Sequence, residues 1–179
     1  MKHIYLIGFQ GTGHRDTRYV NEAGLILVGH VGFAFEGEPH IIFGFHPTEE
    51  SAAKIGDTAA VISALRQGVS IDGVIQDDYL IFRRAWEISQ ANTRTIVWRL
   101  GVQVSDVEFE RIRRLVYEWY TEKTTFAYAF PNEDPDTDNC ATFPRRLGLP
   151  LPEKSGHLVF YVKALMAEGE RWFPEDIDQ

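Results

Sequence analysis

Hydrophobic and polar positions along the chain change period several times. Residues 3–8 form a short apolar run and predict an N-terminal strand. GLILVGHVGFAFE (24–36) is a longer run rich in β-branched and aromatic residues, the composition of a strand. Glu36-Gly37-Glu38-Pro39 carries turn residues, and HIIFGFH (40–46) then reads as the returning strand of a hairpin, closed by Pro47. Residues 49–67 suggest a helix interrupted by Gly56, and IDGVIQDDYLIF (71–82) is ambiguous, with a turn expected at Asp72-Gly73. In TRTIVWRLGVQV (93–104), Ile96, Trp98 and Leu100 alternate against Thr95, Val97 and Arg99, which predicts another strand.

The period then lengthens. Ser105 followed by Glu108 is the signature of a capping box. It opens a helix from about 106 to about 120, whose apolar stripe is expected at Val107, Ile112, Leu115, Val116 and Trp119. PNEDPDTDN (131–139) reads as an acidic loop. ATFPRRLG ends on Gly148, a C-cap residue, and SGHLVFYVKALMAEG predicts a last amphipathic helix capped by Ser155.

Composition narrows the functional classes. At 179 residues the chain is expected to form one domain, 1–179, and 44% hydrophobic residues suffice for a core. No apolar run has the length of a membrane helix, and IYLIG is too short for the apolar region of a signal peptide. The expected location is the cytoplasm, or outside by a route that reads no N-terminal signal. A net charge of -8 without a basic stripe argues against nucleic acid as a partner.

IYLIGFQGTGHRD (4–16) has the glycine spacing of a phosphate-binding loop at Gly8 and Gly13. His14 and Arg15 stand where the lysine and hydroxyl should be, and Asp16 replaces the third glycine of a dinucleotide fingerprint. The stretch is read as a loop after a strand, and no cofactor is expected.

The single cysteine, Cys140, excludes an intrachain disulfide and a cysteine-rich metal site. It is either a small buried hydrophobe or a nucleophile. In DTDNCATFPRRLG, Asp138 or Asn139 precedes it at a capping position, which would put Cys140 at a helix N-terminus. Backbone N–H groups there favour a thiolate and can hold an oxyanion. Asn139 is therefore a candidate oxyanion residue, and Pro144 would fall harmlessly in the first turn.

A nucleophilic cysteine needs a base, and the chain has six histidines. His30 lies inside an apolar strand between Gly29 and Gly32, glycines that would leave room beside the ring for a substrate or another backbone. For a third, orienting group the candidates are His46, which a three-residue hairpin loop would place opposite His30, and His40 or Glu36 near the turn. Two histidines on paired strands are also metal-ligand types, but no third ligand has suitable spacing, and no metal is expected. Arg145-Arg146 could hold a substrate carboxylate or be a solvated pair. Arg111, Arg113 and Arg114 read as a solvated helix face.

GHVGFAFEG, followed far downstream by NCATF and a Leu-Gly-Leu-Pro tail, resembles the circularly permuted papain-like superfamily. That group is related to NlpC-type cell-wall peptidases and includes the lecithin retinol acyltransferase family. The likeness covers roughly 24–46 and 94–151, with the histidine before the cysteine as in the permuted group. Pro144-Arg145-Arg146 departs from the apolar residues usual after the motif. The resemblance implies an α+β fold, a small antiparallel sheet packed with helices, in which the sheet carries His30 and a third polar residue and Cys140 lies on a helix packed against it. It implies a thiol hydrolase of a peptide, peptidoglycan or acyl substrate, with acyl transfer as the alternative outcome. A peptidoglycan amidase without a signal peptide would act as a delivered effector, with an inhibitor or immunity protein as partner. Two other classes stay open: a non-catalytic binding module using the aromatic residues, and a nucleotide enzyme using the Gly8–Gly13 loop.

Overall fold

The computed structural model describes residues 1–11, 29–91, 95–154, 156 and 158–171. Residues 24–28, Gly13 and Ser155, all part of the expectations above, lie outside them. The described residues form a seven-stranded antiparallel sheet with helices on both faces. In chain order the elements are β1 (Lys2–Gly11), β2 (His30–Phe35), β3 (Phe43–Pro47), α1 (Glu49–Ile55), α2 (Thr58–Arg66), β4 (Ile71–Asp77) and α3 (Tyr79–Ala91). There follow β5 (Thr95–Val104), α4 (Asp106–Glu122), β6 (Thr125–Tyr128), a 3₁₀ helix (Phe143–Leu147), α5 (Leu158–Glu168) and β7 (Glu170–Arg171). The strand order is β6-β4-β3-β2-β1-β5-β7, so the β2–β3 hairpin sits at the centre.

Alternation along the strands makes two cores. Ile4 and Leu6 of β1, Val31, Phe33 and Phe35 of β2, and Phe43 and Phe45 of β3 pack with α4, α5 and the Cys140 segment. Ile7 and Phe9, Ala34, Ile42 and Val97 face the other way, against Phe82 and Ala85 of α3. Both faces of the central strands are covered, so their sequences read as nearly continuous apolar runs.

Several local expectations hold. Ser105 Oγ accepts the Glu108 N–H at 3.1 Å and starts α4. Gly148 ends the 3₁₀ helix at φ +85°. Gly56 separates α1 from α2.

Others are corrected. The Asp72-Gly73 turn is the interior of β4, where Gly73 faces the Phe45 ring: a Cβ would stand 2.4 Å from Phe45 Cζ. Residues 79–91 form a helix that the ambiguous reading left unassigned. On α4, Val107 is 83% exposed, and Phe109 joins Ile112 and Val116 in the core instead. Arg113 is not simply solvated, because it and Tyr117 both bond Glu38 and tie α4 to the β2–β3 turn. Gly8 lies in β1, as the expected strand 3–8 has it, but β1 runs on to Gly11, inside the expected loop. Gly8 lies opposite Trp98, and a Cβ there would approach Trp98 Cζ2 to 2.1 Å. That glycine is required by ring packing.

This contrast is testable on one strand pair. Gly8→Ala overpacks a buried indole and should cost about 1–3 kcal/mol. Gly101→Ala on β5 meets ordinary contacts at 3.4 Å or more and should be neutral or stabilising by up to about 1 kcal/mol. Urea denaturation midpoints of the two variants decide it, and equal losses would refute the packing account.

Candidate active site

The β2–β3 ladder pairs Gly32 with Gly44 and Phe33 with Phe43. Continued, this register sets His46 opposite His30, as a three-residue loop would. Both rings lie on the α3 face, with centroids 4.6 Å apart. Phe9 and Phe82 pack against His30. The other two candidates for an orienting group lie elsewhere. His40 stands edge-on to the Tyr79 ring, and the Glu36 carboxylate bonds the side chain and backbone of His3.

The orienting group is one the sequence reading missed, Asp78. Its Oδ2 lies 2.6 Å from His30 Nε2 and 2.6 Å from His46 Nε2. Asp78 follows β4 directly and precedes α3. Its neighbour Asp77 accepts the Tyr79 N–H at 3.0 Å and supports the helix start. Asp78 gives its own carbonyl to Phe82 N and turns its side chain inward. The pattern D-D at the end of an apolar stretch, followed by Phe82, Ala85 and Ile88 at helical spacing, is the signal that could have found it.

Two glycines and one carboxylate make a fitted unit. A Cβ on Gly44 would stand 1.6 Å from Asp78 Oδ2. A Cβ on Gly32 would stand 2.8 Å from Ile42, Phe82 and the Phe43 carbonyl. Gly32 therefore makes room for the protein's own backbone and side chains, the second of the two expected uses, and not for a substrate. Gly29 has φ +78° and is packed under Val162 of α5, so its role too is conformational.

Electrostatics set the protonation of this cluster. Burial alone would raise the Asp78 pKa, but the charge of His46 and hydrogen bonds from both imidazoles outweigh it and hold Asp78 at about 2. Burial, and then the proximity of His46, push His30 below its ordinary value against the pull of Asp78, so its ring is neutral. An ionised carboxylate only accepts, so the His30 hydrogen is on Nε2. Its lone pair is then on Nδ1, which is buried and has no hydrogen-bond partner.

Cys140 packs in the opposite core, beside Val31 and Tyr128. The β2–β3 ladder ends at Gly32, and the N–H of Val31, one residue from His30, is given to Cys140 Sγ. The Tyr128 hydroxyl and the Ala141 N–H also donate to the sulfur. No hydrogen bond joins Cys140 to His30: Nε2 serves Asp78, and Nδ1 is unpartnered.

The expected thiolate is corrected as well. Burial pushes the thiol up to about 12, although all three donors pull the other way. Cys140 stands in a turn ahead of a five-residue 3₁₀ helix and not on an α-helix N-terminus. Asn139 is fully buried, with every polar atom of its side chain committed. Its amide donates to the Phe130 carbonyl and to Asn132, and its oxygen accepts the N–H groups of Ala141 and Thr142. It shapes the turn and has nothing to offer an oxyanion.

Arg146 is exposed and Arg145 half-buried, and both are engaged by the protein. Arg146 and Lys154 hold the buried Asp138 carboxylate at 2.7 and 3.1 Å, and Arg145 bonds the Leu151 and Pro152 carbonyls. Of the aromatic residues that a binding module could use, Trp98 and Tyr128 are buried, whereas Trp86, Tyr117, Trp119, Tyr120 and Phe126 are half-buried, Trp119 and Phe126 packing on the buried Phe143. No protein-family profile, curated protein or solved structure matches this chain.

Two measurements check this electrostatic picture. His30 and Asp78 both bind protons less readily folded than unfolded. Their stabilisation is present above the unfolded pKa of each and is lost as pH falls, His30 first from 6.5, then Asp78 from 3.8 towards about 2. The thermal midpoint should therefore drop between pH 7 and pH 5, and His30→Gln should flatten that slope. A flat wild-type profile would mean that His30 is not held neutral. Separately, iodoacetamide should alkylate folded Cys140 more slowly than a free cysteine at pH 8. The rate should climb only above the ordinary 9.0. Rapid alkylation near pH 6 would overturn the resting thiol.

Proposed function

We propose that this protein is a cysteine-dependent hydrolase of amide or peptide bonds, built as a circularly permuted papain-like fold. Cys140 is the nucleophile, His30 the base, and Asp78 and His46 the groups that set the His30 tautomer. One observation carries the reading: the unpartnered Nδ1 of His30 is the lone-pair nitrogen of a neutral imidazole, one residue from the amide that holds the Cys140 sulfur.

With both partners neutral at rest, the chemistry is general-base attack rather than reaction of a standing thiolate. His30 Nδ1 takes the thiol proton as Sγ bonds the substrate carbonyl carbon. Val31 N–H and Tyr128 O–H ease loss of the thiol proton by stabilising negative charge on Sγ, and that charge passes to the carbonyl oxygen as the S–C bond forms and the C=O bond opens. The C–N bond breaks as the imidazolium returns its proton to the leaving amine. A water, deprotonated by the same nitrogen, adds to the thioester and releases the acid and the free thiol. An acceptor amine or alcohol in place of water makes the protein an acyltransferase. Because Cys140 is buried in the core opposite the His30 ring and the two make no hydrogen bond, reaction requires the packing over the thiol to part and Sγ to come against His30 Nδ1 when substrate arrives.

Peptide amides and peptidoglycan fragments, with release of the amine followed by mass spectrometry, test this reading. Cys140→Ala should abolish turnover while leaving the circular dichroism spectrum unchanged. His30→Gln and Asp78→Asn should each lower kcat by about 10²–10⁴. Undiminished turnover in Cys140→Ala would sink the proposal.

A further inference from the structure

The two histidines lacked a third ligand in the sequence, and Asp78 supplies it. We infer that His30, His46 and Asp78 also form a binding site for a divalent transition metal of the zinc type, held through the two Nε2 atoms and the Asp78 carboxylate. One ligand atom from each residue lies within 4.8 Å of the others. Two imidazoles and a carboxylate are the donor set that zinc takes in three-ligand sites, with a fourth position left for water.

A second observation points to a ligand. Asp78 Oδ1 is buried and has no hydrogen-bond partner, so half of an ionised carboxylate is uncommitted. The two Nε2–Oδ2 distances of 2.6 Å are those of hydrogen bonds. A metal with bonds of about 2.0–2.2 Å holds its ligand atoms about 3 Å or more apart, so the cluster must open by roughly half an ångström. Entry is from the His46 side, since that side chain is 11% exposed while His30 and Asp78 are closed off.

Binding replaces the Nε2 hydrogen of His30 with metal and moves the ring hydrogen to Nδ1. The nitrogen assigned above as the base then becomes a donor, so the metal switches the thiol chemistry off. The metal site is independent of the hydrolase reading; only this effect on turnover rests on it.

The test uses untagged Cys140→Ser protein, which keeps all three ligands and removes the thiol. Titration with Co²⁺, followed by visible absorption, should show one ion per chain, displaced by Zn²⁺. His46→Gln, at the most accessible ligand, should weaken Co²⁺ binding at least tenfold. Absence of Co²⁺ binding below millimolar concentration, or binding unchanged in both His46→Gln and Asp78→Asn, would overturn the inference. Co²⁺ binding without any Cys140-dependent turnover in wild type would uphold the metal site and count against the hydrolase.

Discussion

The buried carboxylate of Asp78 is the constraint on which the centre of this molecule depends. An ionised carboxylate away from water is costly unless donors surround it. Here two imidazole N–H groups converge on one oxygen, and both come from neighbouring strands in one register. That arrangement is possible only because Gly44 leaves the surface of β3 bare beneath the carboxylate. Gly32, paired with Gly44, does the same for Phe82 of α3. The strand-to-helix junction after β4 then delivers the acid. Hairpin register, two glycines and one junction therefore serve a single charge.

The cysteine segment is built by a separate set of polar groups. Asn139 ties its turn to Phe130 and Asn132, and Asp138 is held by Arg146, Lys154 and the Thr142 hydroxyl. These buried bonds are satisfied on both sides, which fixes the backbone around Cys140. The two units meet where the β2–β3 ladder stops, through the amide of Val31. A gap in main-chain pairing at the centre of a sheet leaves a donor in need of a partner, and here the partner is the sulfur.

Much of this was legible in the sequence where local chemistry decides the outcome. The Ser105 cap, the Gly148 terminus and the opposition of His30 and His46 follow from caps and strand period. The elements that escaped are those decided by distant partners. Gly73 looks like a turn residue, but its glycine is there for the Phe45 ring. Val107 and Phe109 both fit a helical stripe, and only the packing of α4 against Phe35 selects Phe109. Asp78 escaped because two adjacent aspartates look alike in sequence: one supports a helix start and the other is buried. Asn139 was placed correctly beside Cys140, but its role was inverted, since all its bonds are to the protein.

The same burial that raises the thiol lowers the imidazole, and together they explain why a Cys–His pair can rest uncharged. In the proposed reaction, proton transfer from Sγ to His30 would conserve net charge but create a cation and an anion inside a dry core. The surroundings already hold counterparts for both: Asp78 for the imidazolium, and Val31 N–H, Tyr128 O–H and Ala141 N–H for the thiolate. These groups act on the separated charges far more than on the neutral pair, which is the condition for stabilising a reacting state over a resting one. His46 completes the logic. By sharing Oδ2, His46 joins His30 in holding Asp78 below the ordinary carboxylate range despite its burial.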